Sequence, residues 1–192
     1  YGRIAAMIHI FVQKRCNHLV TCSESLSKRY DELKIQNITI QNCIPEHQLI
    51  SSHNHQSVRF IFVGNLIRRK RVDLACELFN KLDIDGSSLD IIGNGSEFNK
   101  LKKTFQKNIE FHGFSDDVDK FYREANFLIN LSESEGLPNS VLEALSYGCP
   151  CILSDIPPHL ELQKYVKKGV YIVNQNEIYS QSKLTNLIDF MD

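Results

Sequence analysis

The 192-residue sequence has no apolar run long enough to cross a bilayer. Its longest stretches, residues 60–63 and the interrupted run 4–12, fall well short of the ~20 residues a spanning helix needs. It also lacks an excess of charge of either sign. Lysines and arginines number 22 against 23 aspartates and glutamates, a formal net charge of −1, so nothing in the balance calls for a nucleic-acid partner. No secretory signal is legible: the apolar N-terminal stretch contains His9, is flanked by Lys14 and Arg15, and has no small-residue cleavage pattern. A cytoplasmic protein is expected. Zinc-knuckle spacing is missing too. Cys149 and Cys151 stand one residue apart around Pro150, with no second pair nearby, so no metal site is expected there. The six cysteines, among them Cys76, Cys149 and Cys151 in apolar or helical context, read as reduced thiols rather than a disulfide framework. His53 and His55 share a polar loop with Ser51, Ser52, Asn54 and Gln56 and read as solvated. There is no internal repeat, no low-complexity tract and no initiating methionine: the chain opens on Tyr1, and an excised or truncated piece of a longer protein is expected.

What is present is an ordinary globular composition, 42% hydrophobic and 23% charged, arranged as short β-rich runs alternating with amphipathic stretches of helix length. Strands are expected at residues 18–21, 37–41, 58–63, 89–92, 109–112, 127–131, 150–153 and 170–173, several of them apolar on both faces. Helices are expected at 70–82, 97–107, 117–125, 139–147, 158–167 and 177–191. In the first, Val72, Leu74, Ala75, Leu78 and Phe79 recur at helical spacing and form a packing face. From residue 58 onward, βα units with short connections predict an α/β fold: a doubly wound, Rossmann-like parallel sheet covered on both sides. This domain is expected to span 58–175, followed by a C-terminal helix over 176–192. Residues 43–57, rich in Ser, Asn and His around Pro45, read as an interdomain linker. Residues 1–42 hold too few elements for a core of their own and read as the tail end of another domain.

Ligands of such sheets bind beyond the carboxyl ends of the strands, which gives weight to the loops there. Gly64-Asn65-Leu66-Ile67-Arg68-Arg69-Lys70-Arg71 places cations before a helix start, a setting that suits a diphosphate but also fits a solvated basic turn. Ile92-Gly93-Asn94-Gly95 is a glycine turn open to close backbone approach; Phe98 stands where a dinucleotide fingerprint needs a third glycine, which disfavours a hydride-transfer enzyme. At His112-Gly113 a flat base has room against the backbone, or the pair is a plain turn. The most informative loop is Ser134-Glu135-Gly136-Leu137-Pro138-Asn139-Ser140-Val141-Leu142-Glu143. Pro138 is expected in the first turn of a helix, with Glu143 on the wheel face of Asn139 and Tyr147, opposite Val141, Leu142, Ala144 and Leu145. Two carboxylates would then flank the free amides of one helix start.

The run from Glu135 to Glu143, set in S-x-x-E-G-x-P-x-x-x-L-E-A and followed by Gly148-Cys149-Pro150, resembles the E-x7-E motif of the family 4 retaining glycosyltransferases (glycosyl transferases group 1). Phe62-Val63-Gly64-Asn65-Leu66 with Lys70-Arg71-Val72-Asp73, and Leu89-Asp90-Ile91-Ile92-Gly93-Asn94-Gly95, are similar to the family's first loop and glycine turn. Residues 17–42 look like the segment that closes its N-terminal domain. The resemblance covers nearly the whole chain, although a full member would be about twice as long. It implies the C-terminal domain of a GT-B fold with a remnant of the N-terminal domain. The chain departs from the pattern at Asn65, in place of arginine, and at Arg71, in place of glycine. Lys70 is retained, with Arg68, Arg69 or Arg71 to compensate.

The activity implied is transfer of a sugar from a nucleotide donor, a UDP- or GDP-sugar, with retained anomeric configuration and without a bound metal or cofactor. The acceptor implied is a saccharide or lipid-linked saccharide in cell-surface polysaccharide or lipopolysaccharide synthesis. The catalytic positions carried over are Glu135, on a donor-sugar hydroxyl, and Lys70, on the diphosphate. Donor-binding positions are Gly64, Asn65, Arg69, Gly93, Gly95, His112, Gly113, Gly136, Leu137, Pro138, Asn139 and Ser140, with Glu143 on the ribose. Asp117-Val118-Asp119 has the D-x-D form of metal-dependent transferases, but it opens a helix whose dipole favours acidic residues. The basic, apolar N-terminal helix is compatible with peripheral contact at the inner face of the membrane or with simple packing. Two other readings stand beside the enzyme: a donor-binding fragment without turnover, and a sugar-nucleotide epimerase of the same fold.

Overall fold

The computed structural model describes residue 7 and residues 10–44, 57–166 and 168–174. Most of the expected linker with His53 and His55, the C-terminal helix and most of the N-terminal apolar stretch lie outside these residues. The chain divides into two compact units, Tyr1–Cys43 and Ile44–Asp192. In the first, strands β1 (Val20–Thr21) and β2 (Ile38–Thr39) pair in parallel around helix α1 (Glu24–Glu32). The buried Ser23 caps α1, its hydroxyl accepting from the Leu26 amide at 3.3 Å.

The second unit is a six-stranded sheet in the order β5-β4-β3-β6-β7-β8, every pairing parallel. The strands are β3 (Arg59–Val63), β4 (Ser88–Ile92), β5 (Ile109–Gly113), β6 (Phe127–Asn130), β7 (Cys151–Ser154) and β8 (Val170–Val173). The connecting helices are α2 (Val72–Leu82), α3 (Phe98–Thr104), α4 (Val118–Glu124), α5 (Asn139–Ser146) and α6 (Pro157–Tyr165). This is the doubly wound arrangement expected, and the strand order reverses between β3 and β6, which makes their carboxyl ends the topological switch point.

The side-chain alternation of β3 builds two cores. Phe60 and Phe62 join Leu74, Leu78 and Ile91 on one face; Ile61 joins Leu128, Val141 and Leu153 on the other. Each large apolar side chain fully buried in this way contributes roughly 1.5–3 kcal/mol. β6 and β7 are buried along their whole length, as strands with helices on both sides must be. The edge differs. On the Ile61 face the sheet continues into Asp90 and then Glu110, and β5 alternates between buried and exposed residues. An open groove of about 740 Å³, lined by Arg59, Ser88, Asp90, Glu110, His112 and Phe121 among others, occupies this face. The expectation of strands apolar on both faces therefore holds at the centre of the sheet and fails at β5, whose second face, among the described residues, opens onto this groove beside Phe121 of α4.

All six cysteines are free. Burial pushes the Cys76 and Cys149 thiols up to about 12, so both stay protonated and act as small apolar side chains. Two expected boundaries are corrected. The helix expected from residue 70 starts at Val72 and is preceded by a 3-10 turn, Arg68–Lys70, and by Arg71 at φ 46° and ψ 46°. Pro138 is not in the first turn of α5 but is its N-cap, with ψ 98°. At the far end α5 stops on a Schellman motif: the Cys149 amide bonds to the Ala144 carbonyl at 2.9 Å and the Gly148 amide to Leu145 at 3.0 Å, with Gly148 at φ 76°. Among the described residues no helix is long and apolar enough to cross a membrane.

Candidate donor-binding site

The switch point brings two loops together, the one after β3 and the one after β6. Lys70 Nζ lies 2.6 Å from Glu135 Oε1, and Arg69 Nη1 lies 3.3 Å from Glu135 Oε2. The Arg69 guanidinium also donates to the Ser134 carbonyl, and the Glu133 amide donates to the Arg69 carbonyl at 2.9 Å. Arg71 turns elsewhere, its Nη1 3.3 Å from Glu133 Oε1 and its Nε 3.4 Å from Asp73 Oδ1. Of the arginines weighed as substitutes for the one missing at Asn65, Arg69 is the one that reaches Glu135.

Glu135 is held from the protein side as well. Ser132 Oγ lies 2.7 Å from Glu135 Oε1 and 2.6 Å from Asn130 Oδ1, and both Ser132 and Asn130 are buried. Burial alone would raise the Glu135 pKa. The hydrogen bonds from Lys70 and Ser132 and the charges of Lys70 and Arg69 outweigh it and hold the carboxyl below its ordinary range. The site therefore presents an ionised carboxylate against two cations, at the start of α5. Pro138 offers no side-chain cap there, and the Val141 and Leu142 amides already turn back onto the Pro138 carbonyl at 3.0 and 3.2 Å. The first-turn amides ahead of Val141 stand outside the helical ladder, where an anion is favoured. Asn139 is exposed and Ser140 half-buried at this end, with Gly136 and Leu137 in the loop before it.

Glu143 has a partner that the sequence did not suggest. Its Oε2 accepts from the Tyr122 hydroxyl at 2.7 Å. Burial first, then Glu143, pushes the phenol well above its usual range. Tyr122 stacks on Tyr147 at 5.7 Å between centroids, and both tyrosines are buried. The wheel face shared by Asn139, Glu143 and Tyr147 passes from an exposed Asn139 to a core tyrosine, with Glu143 half-buried between.

The glycines of the β4 turn meet the protein itself. A Cβ at Gly93 would fall 1.9 Å from the Gly64 carbonyl oxygen, and one at Gly95 would fall 2.4 Å from the Leu66 carbonyl oxygen. Their first role is to let the loop 64–66 lie against the β4 turn, which it grips by hydrogen bonds from Gly64 to Ile92 and from Leu66 to Asn94. Asn65, next to Gly64, is exposed. His112 turns onto the open sheet face, with Nε2 2.6 Å from Asp90 Oδ1 and Nδ1 4.0 Å from Glu110 Oε1, and its ring sits 4.9 Å from that of Phe121. The neighbouring Gly113 faces open space. Asp90, Glu110 and His112 each offer an atom within 4.8 Å of the others, close enough together that they could hold a cation, where the sequence suggested no metal. Asp117, from the D-x-D run, caps α4 by accepting from the Lys120 amide at 3.4 Å.

Sequence reasoning missed Asn130, Ser132 and Tyr122. The signal for the first two was a pair of polar residues ending an otherwise apolar strand run, Phe127-Leu128-Ile129-Asn130-Leu131-Ser132.

This chain is 33% identical over 174 residues to the O-antigen biosynthesis glycosyltransferase WbnH of Escherichia coli, matching 84% of this chain and 49% of that protein. It is 31% identical over 131 residues to an E. coli UDP-Gal:alpha-D-GlcNAc-diphosphoundecaprenol alpha-1,3-galactosyltransferase, matching 63% of this chain and 34% of that one. The chain thus spans about half the length, or less, of these curated relatives. In fold it resembles Anabaena Alr3699/HepE, solved with UDP-glucose, with a TM-score of 0.81 and 12% identity over 98% of this chain and 58% of that one. Structural neighbours of this kind are GT-B glycosyltransferases. The profile of the family described as glycosyl transferases group 1 matches residues 44–189, and the chain belongs to that family.

Proposed function

We propose that the chain is the donor-binding half of a retaining glycosyltransferase, which moves a sugar from a nucleoside diphosphate sugar to a saccharide or lipid-linked acceptor in cell-surface polysaccharide synthesis. The observation that carries the reading is the convergence of Lys70 and Arg69 on Glu135 at the switch point. In this reading Lys70 meets the donor diphosphate, assisted by Arg69 and the first amides of α5. A diphosphate entering there draws Lys70 from its bond to Glu135 and frees Oε1 for a donor-sugar hydroxyl. Glu143, with one oxygen on Tyr122, keeps the other for a ribose hydroxyl. WbnH acts in O-antigen biosynthesis, and the galactosyltransferase's own name gives it a UDP-sugar donor and a lipid diphosphate acceptor. Both support the donor and acceptor classes proposed here, and a lipid-linked acceptor would bring the whole enzyme to the inner face of the membrane. Because this chain spans about half of such relatives, it binds the donor without turnover until the rest of the enzyme supplies the acceptor side.

The test compares uridine with UDP, and guanosine with GDP, by calorimetry. Lys70→Ala should weaken diphosphate binding roughly tenfold or more, as expected for a charged hydrogen bond of ~1.5–3 kcal/mol, and leave nucleoside binding unchanged. The difference should shrink as salt rises. Equal losses for nucleoside and diphosphate would overturn the assignment.

A further inference from the structure

A buried imidazole stands behind Glu135. His159, in the first turns of α6, and Ser154, the last residue of β7, are both fully buried. Ser154 Oγ donates to the Ser132 carbonyl at 2.7 Å. With that proton committed, the contact of 3.1 Å between Ser154 Oγ and His159 Nδ1, and the one of 3.0 Å from Nδ1 to the Ser154 carbonyl, need the ring N–H as donor. The proton therefore sits on Nδ1, and Nε2 is a bare acceptor, buried without a hydrogen-bond partner among the described residues. Leaving such an atom unsatisfied costs about 1–3 kcal/mol, so packing alone would favour an apolar side chain here. Glu135 and Lys70 are close enough that their charges act on the ring.

We infer that His159 is a positioning residue for Glu135: through Ser154 it fixes the Ser132 main chain, and with it the Ser132 hydroxyl that touches Glu135 Oε1. Ser132 is the hub of this chain of contacts, since its carbonyl accepts from Ser154 while its hydroxyl reaches Asn130 and Glu135. The anchor matters most once Lys70 turns to a diphosphate, because Ser132 is then the contact left on Oε1 to aim it. This rests on the reading of Glu135 as a donor-sugar contact. It predicts that His159 governs the affinity added by the sugar and leaves the affinity for the diphosphate alone.

The experiment measures, on this chain, the ratio of UDP-glucose to UDP affinity and of GDP-mannose to GDP affinity. It compares the wild type with Glu135→Gln, Ser154→Ala, His159→Leu and His159→Asn, each checked for folding by thermal melting. Asparagine places an amide N–H where Nδ1–H stands. For whichever pair binds, His159→Leu and Ser154→Ala should lower the ratio by roughly threefold to tenfold, the value of one neutral hydrogen bond. His159→Asn should restore it, and affinity for the bare diphosphate should stay constant. If His159→Leu fails to fold, Ser154→Ala and His159→Asn still decide the matter. A ratio lowered by Glu135→Gln but untouched by Ser154→Ala and His159→Leu would overturn the inference and leave the site reading intact. A ratio untouched by Glu135→Gln, or no binding of either pair, would overturn both.

Discussion

Glu135 and Glu143 are eight positions apart in sequence and differ in what already holds them. Glu135 faces two cations, whereas Glu143 faces the hydroxyl of a buried tyrosine. Glu143→Gln keeps the shape but removes a charged acceptor, so UDP binding should fall roughly tenfold. Tyr122→Phe should cost about 1–2 kcal/mol of folding stability with a smaller effect on UDP. Calorimetry and urea titration of both variants check this, and a Glu143→Gln variant with unchanged UDP binding would remove Glu143 from the site. His159 gives a pH signature of its own. Burial, the largest cause, holds its pKa down to about 4 against the ordinary 6.5, the Lys70 charge adding to that while the Ser154 carbonyl and the Glu135 charge oppose it. Its folded-state pKa is depressed, so the unfolded chain binds the proton more readily. The stability it contributes is complete above pH 6.5 and is lost as pH falls toward 4, an effect on the order of 3 kcal/mol. Glu135, also depressed, adds to the loss only below its ordinary value of 4.5. In His159→Leu the slope between pH 6.5 and 4.5 should flatten, as read by urea unfolding at each pH.

At the scale of elements, the loops were legible in the sequence as places but not as contacts. The basic loop after β3 and the E-x7-E loop after β6 could be marked because the strands and the helix stripe before and after them are strongly periodic. Which arginine turns inward could not be marked. That depends on the 3-10 turn at Arg68–Lys70 and on Arg71 taking a left-handed conformation, choices fixed by tertiary contacts with the 132–135 loop and not by local propensity. Pro138 shifted from first turn to N-cap for a related reason, since proline is compatible with either position and only the helix start decides. The glycine turn was read as open to a ligand, yet its closest neighbour is the 64–66 backbone. This contact makes a sharp comparison. At Gly93 an added Cβ has backbone oxygen 1.9 Å away, while at Gly113 it meets nothing within 4 Å. Gly113→Ala should cost about 1–2 kcal/mol, from the positive φ alone. Gly93→Ala must also move the β3 loop and should cost clearly more, with a loss of diphosphate binding because Lys70 moves with that loop. Denaturant midpoints with constant slopes would test the ranking; equal costs would show that the two loops yield easily.

For the whole molecule, the alternation of strands and helices was enough to foresee a parallel doubly wound sheet, because βα units with short connections have essentially one handedness. What the alternation could not foresee was the open face at β5, since Asp90 lies on β4 and Glu110 and His112 lie on β5, and the three become neighbours only when the two strands pair. The base of the proposed donor is also illegible, because recognition of a flat ring depends on the shape of a surface rather than on a spacing in sequence. Ligand-linked stabilisation can supply it. Any molecule that binds the folded chain and not the unfolded one adds RT ln(1 + [L]/Kd), about 2.7 kcal/mol at a hundredfold excess over Kd. At one fixed concentration, the melting shifts given by UDP, GDP and ADP therefore rank the three affinities directly. One of the three should shift the transition well beyond the other two, and its monophosphate should shift it much less, because the cations at Lys70 and Arg69 and the first amides of α5 are assigned to the second phosphate as well as the first. Lys70→Ala should reduce the diphosphate shift to nearly that of the monophosphate. Equal shifts from monophosphate and diphosphate in the wild-type chain would mean that the Lys70–Glu135 pair is a structural clasp between two loops, and that the donor is not held at the switch point between β3 and β6.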